Sequence, residues 1–121
     1  MNNKQLGTEF ENEMCKELSE AGYWVHFVTP DKRGAQPFDI IAVKHNLPFA
    51  IDCKTSVKRI FSIERLEDNQ ILAFEKWERC GNRNAFIAIK YKEQILLLQY
   101  HQLKAMGKVD LEAYDGIYRW K

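Results

Sequence analysis

Two short apolar stretches carry charged groups where a strand would normally be buried, and this combination most limits what the chain can become. Phe38-Asp39-Ile40-Ile41-Ala42-Val43 and Phe49-Ala50-Ile51-Asp52-Cys53-Lys54-Thr55 have the β-branched and aromatic content of strands. Lys44-His45-Asn46-Leu47-Pro48 between them reads as the turn of a hairpin. Side chains alternate across a strand, so Asp52 and Lys54 emerge on one face and Phe49, Ile51 and Cys53 on the other. Asp39 opens the first strand and Asp52 closes the second, so a hairpin draws the two carboxylates together. Two anions at the edge of a core repel each other and lose hydration unless a cation joins them. A hard divalent ion such as Mg²⁺ suits oxygen ligands and keeps several waters. A water acidified in this way can attack phosphorus. An ammonium on the same face, here Lys54, can orient that water or neutralise the pentacovalent phosphate. A sheet-edge ion pair between Asp52 and Lys54 accounts for the same residues without a metal, and the residues alone leave both readings open.

The flanking segments predict a mixed sheet with helices around it. Leu6, Phe10, Met14, Leu18 and Ala21 recur at three- and four-residue steps, which gives an amphipathic helix over Asn3–Ala21 stopped by Gly22. Tyr23–Val28 reads as a strand and Thr29–Pro37 as a turn-rich loop. Val57–Arg65 reads as a loop with a short extended piece. A second helix is expected over Leu66–Cys80, with Ile71, Phe74 and Trp77 on its apolar side. Phe86–Tyr91 and Ile95–Tyr100 form another strand pair. The tail after His101 holds at most a short helix and is otherwise unassigned. The order helix, three strands, helix, two strands places the chain in the α/β (α+β) class, with a mixed central sheet flanked by helices.

At 121 residues the chain is expected to form a single domain, residues 1–121. Eighteen basic against seventeen acidic side chains leave a net charge of +1, so a nucleic-acid partner must be argued from local clusters. Lys32 and Arg33 precede Asp39, while Lys58, Arg59 and Arg65 follow Lys54; groups so placed can contact phosphates. Trp24 and Trp77 sit at core-like positions and are expected to pack. Three cysteines without a close pair fit a reducing compartment. No apolar run approaches a membrane span and the first residues lack the apolar core of a signal peptide, so a cytoplasmic protein of a bacterial or phage-infected cell is expected.

An aspartate starting one strand and an acid-x-lysine triplet on the next resemble the PD-(D/E)XK nuclease superfamily, whose restriction-endonuclease-like core has a mixed sheet flanked by helices. The chain is similar, more narrowly, to the Holliday-junction resolvases of the archaeal and RecU types. Gly7-Thr8-Glu9-Phe10-Glu11, Gly34-Ala35-Gln36-Pro37-Phe38-Asp39-Ile40-Ile41-Ala42, Ile51-Asp52-Cys53-Lys54, Asn69-Gln70-Ile71 and Phe86-Ile87-Ala88-Ile89-Lys90 carry the likeness, which spans about residues 4–103. The resemblance implies Mg²⁺, replaceable by Mn²⁺, held by Asp39, Asp52 and the Cys53 carbonyl. Glu11 would complete the acidic cluster or hold a metal-bound water, Lys54 would be the catalytic lysine, and Gln70 a supporting polar group. It further implies hydrolysis of branched DNA by a homodimer. Phe38 stands where the name-giving motif has proline, Asp52 where glutamate is commoner, and Ala35 where archaeal resolvases tend to have serine. Helical periodicity does not choose among Glu9, Glu11, Glu13 and Glu17; Glu11 rests on the resemblance. A VRR-NUC-type or restriction-like nuclease acting on another DNA is the neighbouring reading, and a catalytically silent nucleic-acid-binding module is the alternative from another class.

Overall fold

A computed structural model describes residues 2–29 and 36–121. Helix α1 (Asn3–Glu20) leads into strand β1 (Trp24–Phe27), then β2 (Ile40–Lys44) and β3 (Leu47–Thr55). A short β4 (Ile60–Ser62) and one 3-10 turn (Ile63–Arg65) precede α2 (Asp68–Arg79). Strands β5 (Ala85–Tyr91) and β6 (Gln94–Gln99), helix α3 (Tyr100–Met106) and strands β7 (Lys108–Asp110) and β8 (Tyr118–Arg119) complete it. Six strands form one sheet in the order β1-β2-β3-β5-β6-β8, while β4 and β7 make a separate ribbon. Only β3 and β5 run parallel among these neighbours, and α2 supplies the crossover that a parallel pair requires. The expected α+β class with a mixed sheet between helices is what the structure has.

Both long helices start on a capping box. The Asn2 side chain accepts from the Gln5 N–H while the Gln5 side chain accepts from the Asn2 N–H, both at 2.9 Å. Glu67 and Gln70 repeat the device at the start of α2. Phe10, Met14 and Leu18 of α1 lie against Ile40, Ala42, Ile51, Ala88 and Ile95 on one face of the sheet. Phe74 of α2 and Tyr100 and Leu103 of α3 pack on the other face with Phe38, Ala50, Ile87, Ile89, Leu96 and Leu98. Phe38 stacks on Phe74 with ring centroids 5.7 Å apart, so the aromatic residue before Asp39 serves as core. Among the described residues no helix is long and apolar enough to cross a membrane.

Several boundaries move, each for a visible reason. The hairpin turn is only His45-Asn46, both with positive φ (52° and 65°), as a two-residue primed turn demands; Leu47 and Pro48 therefore belong to β3. Pro48 is tolerated because it sits opposite Val43 before β5 begins at Ala85, level with Ala50, so its missing N–H costs no ladder bond. Asp39 flanks β2 rather than opening it. Tyr100 begins α3 instead of closing β6. The tail is structured: β7 pairs with β4, and β8 adds to β6. Trp24, expected to pack, is 61% exposed. Val25 takes the α1 side of edge strand β1, which sends Trp24 and His26 to the opposite face, and α2 lies over β5 rather than over β1. Trp77 does pack, edge-on to Phe38.

Candidate active site

The ladder between β2 and β3 stops at the pair Ile40–Ile51, and the site begins where it stops. The Asp39 N–H still donates to the Ile51 carbonyl at 3.1 Å. Beyond it the backbone of Cys53 points to the same side as Ile51 but meets no strand. The Asp39 carboxylate takes its place: the Cys53 N–H donates to Oδ2 at 2.7 Å, and Gln36 Nε2 donates to Oδ1 at 2.8 Å. By the same alternation the Cys53 carbonyl also emerges on this unpaired edge. The missing strand thus leaves two backbone groups without ladder partners, and a carboxylate takes the N–H.

Asp52 is fully buried on the α2 side of β3. Gln70 Nε2 donates to its Oδ1 at 3.1 Å. Lys54 Nζ stands 3.2 Å from Oδ2, an ion-pair contact not aligned as a hydrogen bond, so that enclosed oxygen ends without one. The same Lys54 ammonium donates to Gln70 Oε1 at 3.2 Å, and that oxygen also accepts from the Glu67 N–H at 2.9 Å. One amide side chain therefore fixes the aspartate, the lysine and the start of α2 together. Asn69 adds a second link, its Nδ2 donating to the Gln36 carbonyl at 2.6 Å, so the first turn of α2 braces both aspartates.

Electrostatics agree that the cluster wants a cation. Burial, and then the charge of Asp39, push the Asp52 carboxyl up to about 8 despite the opposing pull of Lys54. Burial, followed by the charge of Asp39 and a hydrogen bond with it, pushes Glu11 up to about 7. The thiols of Cys15 and Cys53 are pushed up by burial and by these carboxylates, which makes them poor nucleophiles. Among the described residues no three carboxylate, thiol or imidazole groups form a ligand set by themselves. Two aspartates, a free carbonyl and one unsatisfied buried oxygen fit an ion that retains much of its water, as Mg²⁺ does.

The structure separates the four helix glutamates that periodicity could not. Glu11 faces Asp39. Glu13 is held by Lys90 Nζ at 2.9 Å, and Glu17 binds Trp120 Nε1 at 3.0 Å and Lys121 Nζ at 2.9 Å. Glu9 lies exposed in solvent. Asp39, Asp52, Lys54, Gln70, Glu11 and the Cys53 backbone are thus brought together. Lys58 and Arg65 line a cleft of about 760 Å³ that opens from Lys54. The Ser56 hydroxyl donates to the Lys58 carbonyl at 2.8 Å, and Arg65 donates to the Thr55 carbonyl at 2.7 Å, which fix both on the cleft wall. Arg59 does not join them, because Asp110 (2.7 Å) and Glu112 (3.8 Å) hold its guanidinium against the β4–β7 ribbon. Lys32 and Arg33 lie outside the described residues. Sequence reasoning missed Gln36 and Asn69 as supports of the aspartates. Their only signal was proximity to Asp39 and Gln70, because the contact between them spans 33 positions.

A family model described as archaeal Holliday junction resolvase (hjc) matches residues 2–117. No curated protein matches the chain. Among solved structures, Archaeoglobus fulgidus Hjc, a Holliday junction resolvase from an archaeal hyperthermophile, is similar over 88% of this chain and 88% of its own. The TM-score is 0.66 at 23% sequence identity, a likeness of fold.

Proposed function

The chain belongs to the archaeal Holliday junction resolvase family, whose members are metal-dependent junction-cleaving nucleases, and from that premise we propose that its catalytic centre is Asp39, Asp52 and Lys54 working with Mg²⁺. The observation that carries the assignment is Asp52 Oδ2, a fully enclosed carboxylate oxygen with no hydrogen bond, beside a lysine and a second aspartate. Asp39, Asp52 and the Cys53 carbonyl would hold the ion. When bound, Mg²⁺ acidifies water and offsets charge building on the phosphate.

The chain's own groups do the remaining work. Lys54 Nζ is held by Asp52 and Gln70 on one side and lines the cleft on the other, so its free N–H can donate to a phosphoryl oxygen. Gln70 keeps the amine and Asp52 in register by bonding both through the two ends of one amide. Glu11, its pKa pushed up to about 7, is protonated about half the time at neutral pH beside Asp39 and can exchange that proton with solvent. Water attacks phosphorus in line with the departing sugar oxygen, and no covalent enzyme intermediate is needed. Lys58 and Arg65 bind backbone phosphates of the DNA in the cleft, where they supply affinity rather than sequence choice. Resolving a four-way junction takes two nicks on opposed strands. A two-fold homodimer presents one such centre to each.

The test is a fixed four-way junction with a linear duplex of matching sequence as control. The protein is expected to nick the junction in Mg²⁺, to leave it whole in EDTA, and to spare the duplex. Cleavage of flaps or linear duplexes with junctions left intact would refute the junction preference, and binding without cleavage in either Mg²⁺ or Mn²⁺ would refute the catalytic assignment.

A further inference from the structure

We propose that the β5–β6 turn, through Lys92, is a DNA-backbone contact in the same cleft as Lys58 and Arg65. The inference rests on the junction-nuclease reading above. The cleft that opens from Lys54 is lined both by the segment carrying Lys58 and Arg65 and by Lys90, Lys92 and Glu93. Five cations against one carboxylate line it, a balance suited to a polyanion and far from the chain's overall +1. Lys90 is committed to Glu13 by two contacts of 2.9 and 3.0 Å. Lys92 is freer: its side chain is 68% exposed and its ammonium touches Glu112 at 3.1 Å. An exposed pair of this kind is weak, and a phosphate can replace the carboxylate.

The turn itself carries a second, independent signal. Lys92 and Glu93 both have positive φ, 48° and 63°. A two-residue primed turn favours Asn-Gly or Asp-Gly there, and a long side chain in the left-handed region is sterically disfavoured. The β2–β3 hairpin solves the same problem with His45-Asn46, which puts a preferred residue in one of its two positions. Lys-Glu solves it with neither. A conformation kept against local preference calls for a reason outside the turn, and the cleft that Lys92 faces provides one.

Lys92 could instead be only a staple, because Glu112 also accepts from Tyr91 and pairs with Arg59, tying the hairpin to the tail. Three variants of the full chain separate the two roles, with junction affinity read by fluorescence anisotropy in EDTA over a salt series. Lys92→Gln is expected to weaken binding about fivefold near 0.1 M salt and to reduce the slope of log K against log salt by close to one. Glu112→Gln breaks the same ion pair from the other end but releases the cation, so it should bind as tightly as wild type or tighter. The change Lys92→Asn, which puts a preferred residue in the turn and leaves Glu93 in place, should melt no lower than wild type and yet bind as weakly as Lys92→Gln. The proposal is overturned if Lys92→Gln matches wild type in affinity and slope, if Glu112→Gln loses as much as Lys92→Gln, or if the turn exchange binds like wild type. A wild type that neither binds nor cuts junctions would instead sink the reading on which the inference stands.

Discussion

Asp52→Asn should make the metal-free protein more stable while abolishing cleavage, and the size of the gain follows from the site. The carboxyl is fully buried, 3.2 Å from Lys54, and held up to about 8 against an ordinary 3.8. Between those two values the folded state keeps a proton that the unfolded chain has released. Stability from this group is therefore present at low pH and is lost as pH rises through about 8, at up to about 1.4 kcal/mol per pH unit. The whole interval corresponds to about 6 kcal/mol, an upper bound, because the substitution also removes the partner of Lys54. An amide can still accept from Gln70, but its NH₂ then takes the Oδ2 position 3.2 Å from the Lys54 ammonium, which offsets part of the gain and leaves roughly 1–3 kcal/mol at pH 8. For a chain of this size that is about 4–12 °C in Tm. Thermal unfolding followed by circular dichroism in EDTA should show wild type gaining stability from pH 8 to pH 5. The variant should start higher and climb less steeply, keeping only the slope that Glu11, pushed up to about 7, contributes with the same sign. Mg²⁺ should raise the Tm of wild type at pH 8 but not that of the variant. A variant that melts below wild type at pH 8, or that shows an undiminished pH slope, would refute the claim that a buried, frustrated carboxylate waits there for a cation.

Gln70→Ala unties Asp52, Lys54 and the start of α2 at once; the single-turnover rate should fall about 10- to 100-fold with little loss of junction affinity, measured separately by rapid-quench cleavage and by anisotropy. Replacing Lys58 and Arg65 together by glutamine should weaken junction binding and lower the log–log salt slope by about two, which a titration between 50 and 200 mM salt would reveal.

What the sequence disclosed and what it withheld divide along a physical line. Asp52 and Lys54 could be placed on one face because strand periodicity is local, and it needs only the two residues and the one between them. The convergence of Asp39 with Asp52 followed from a short turn. Glu11 could not be chosen over Glu13 in the same way, because both flank the apolar stripe of α1 and only the docked helix decides which faces Asp39 and which Lys90. Arg59 shows the opposite failure. It lies next to Lys58 in sequence, yet Asp110, 51 positions later, holds its guanidinium away from the cleft. The tail escaped for a similar reason, since β7 and β8 are only three and two residues long and exist because β4 and β6 offer them ladders.

The same distinction explains how the site is built. A β-sheet normally satisfies each backbone group by a neighbouring strand, and here β2 begins only at Ile40, one residue after Asp39, while β3 runs four residues past Ile51. The Cys53 N–H is left without a strand partner, and a carboxylate supplies the acceptor. That bond anchors one aspartate by its backbone neighbour rather than by a positive side chain, which leaves Lys54 free for Asp52 and the cleft. Had an arginine neutralised Asp39, the pressure that lifts Asp52 and Glu11 would be relieved and the demand for a cation with it. The site's appetite for metal thus comes from an unfinished ladder: neutral donors fix Asp39 beside Asp52, one lysine serves the pair, and the rest of the positive charge must be imported.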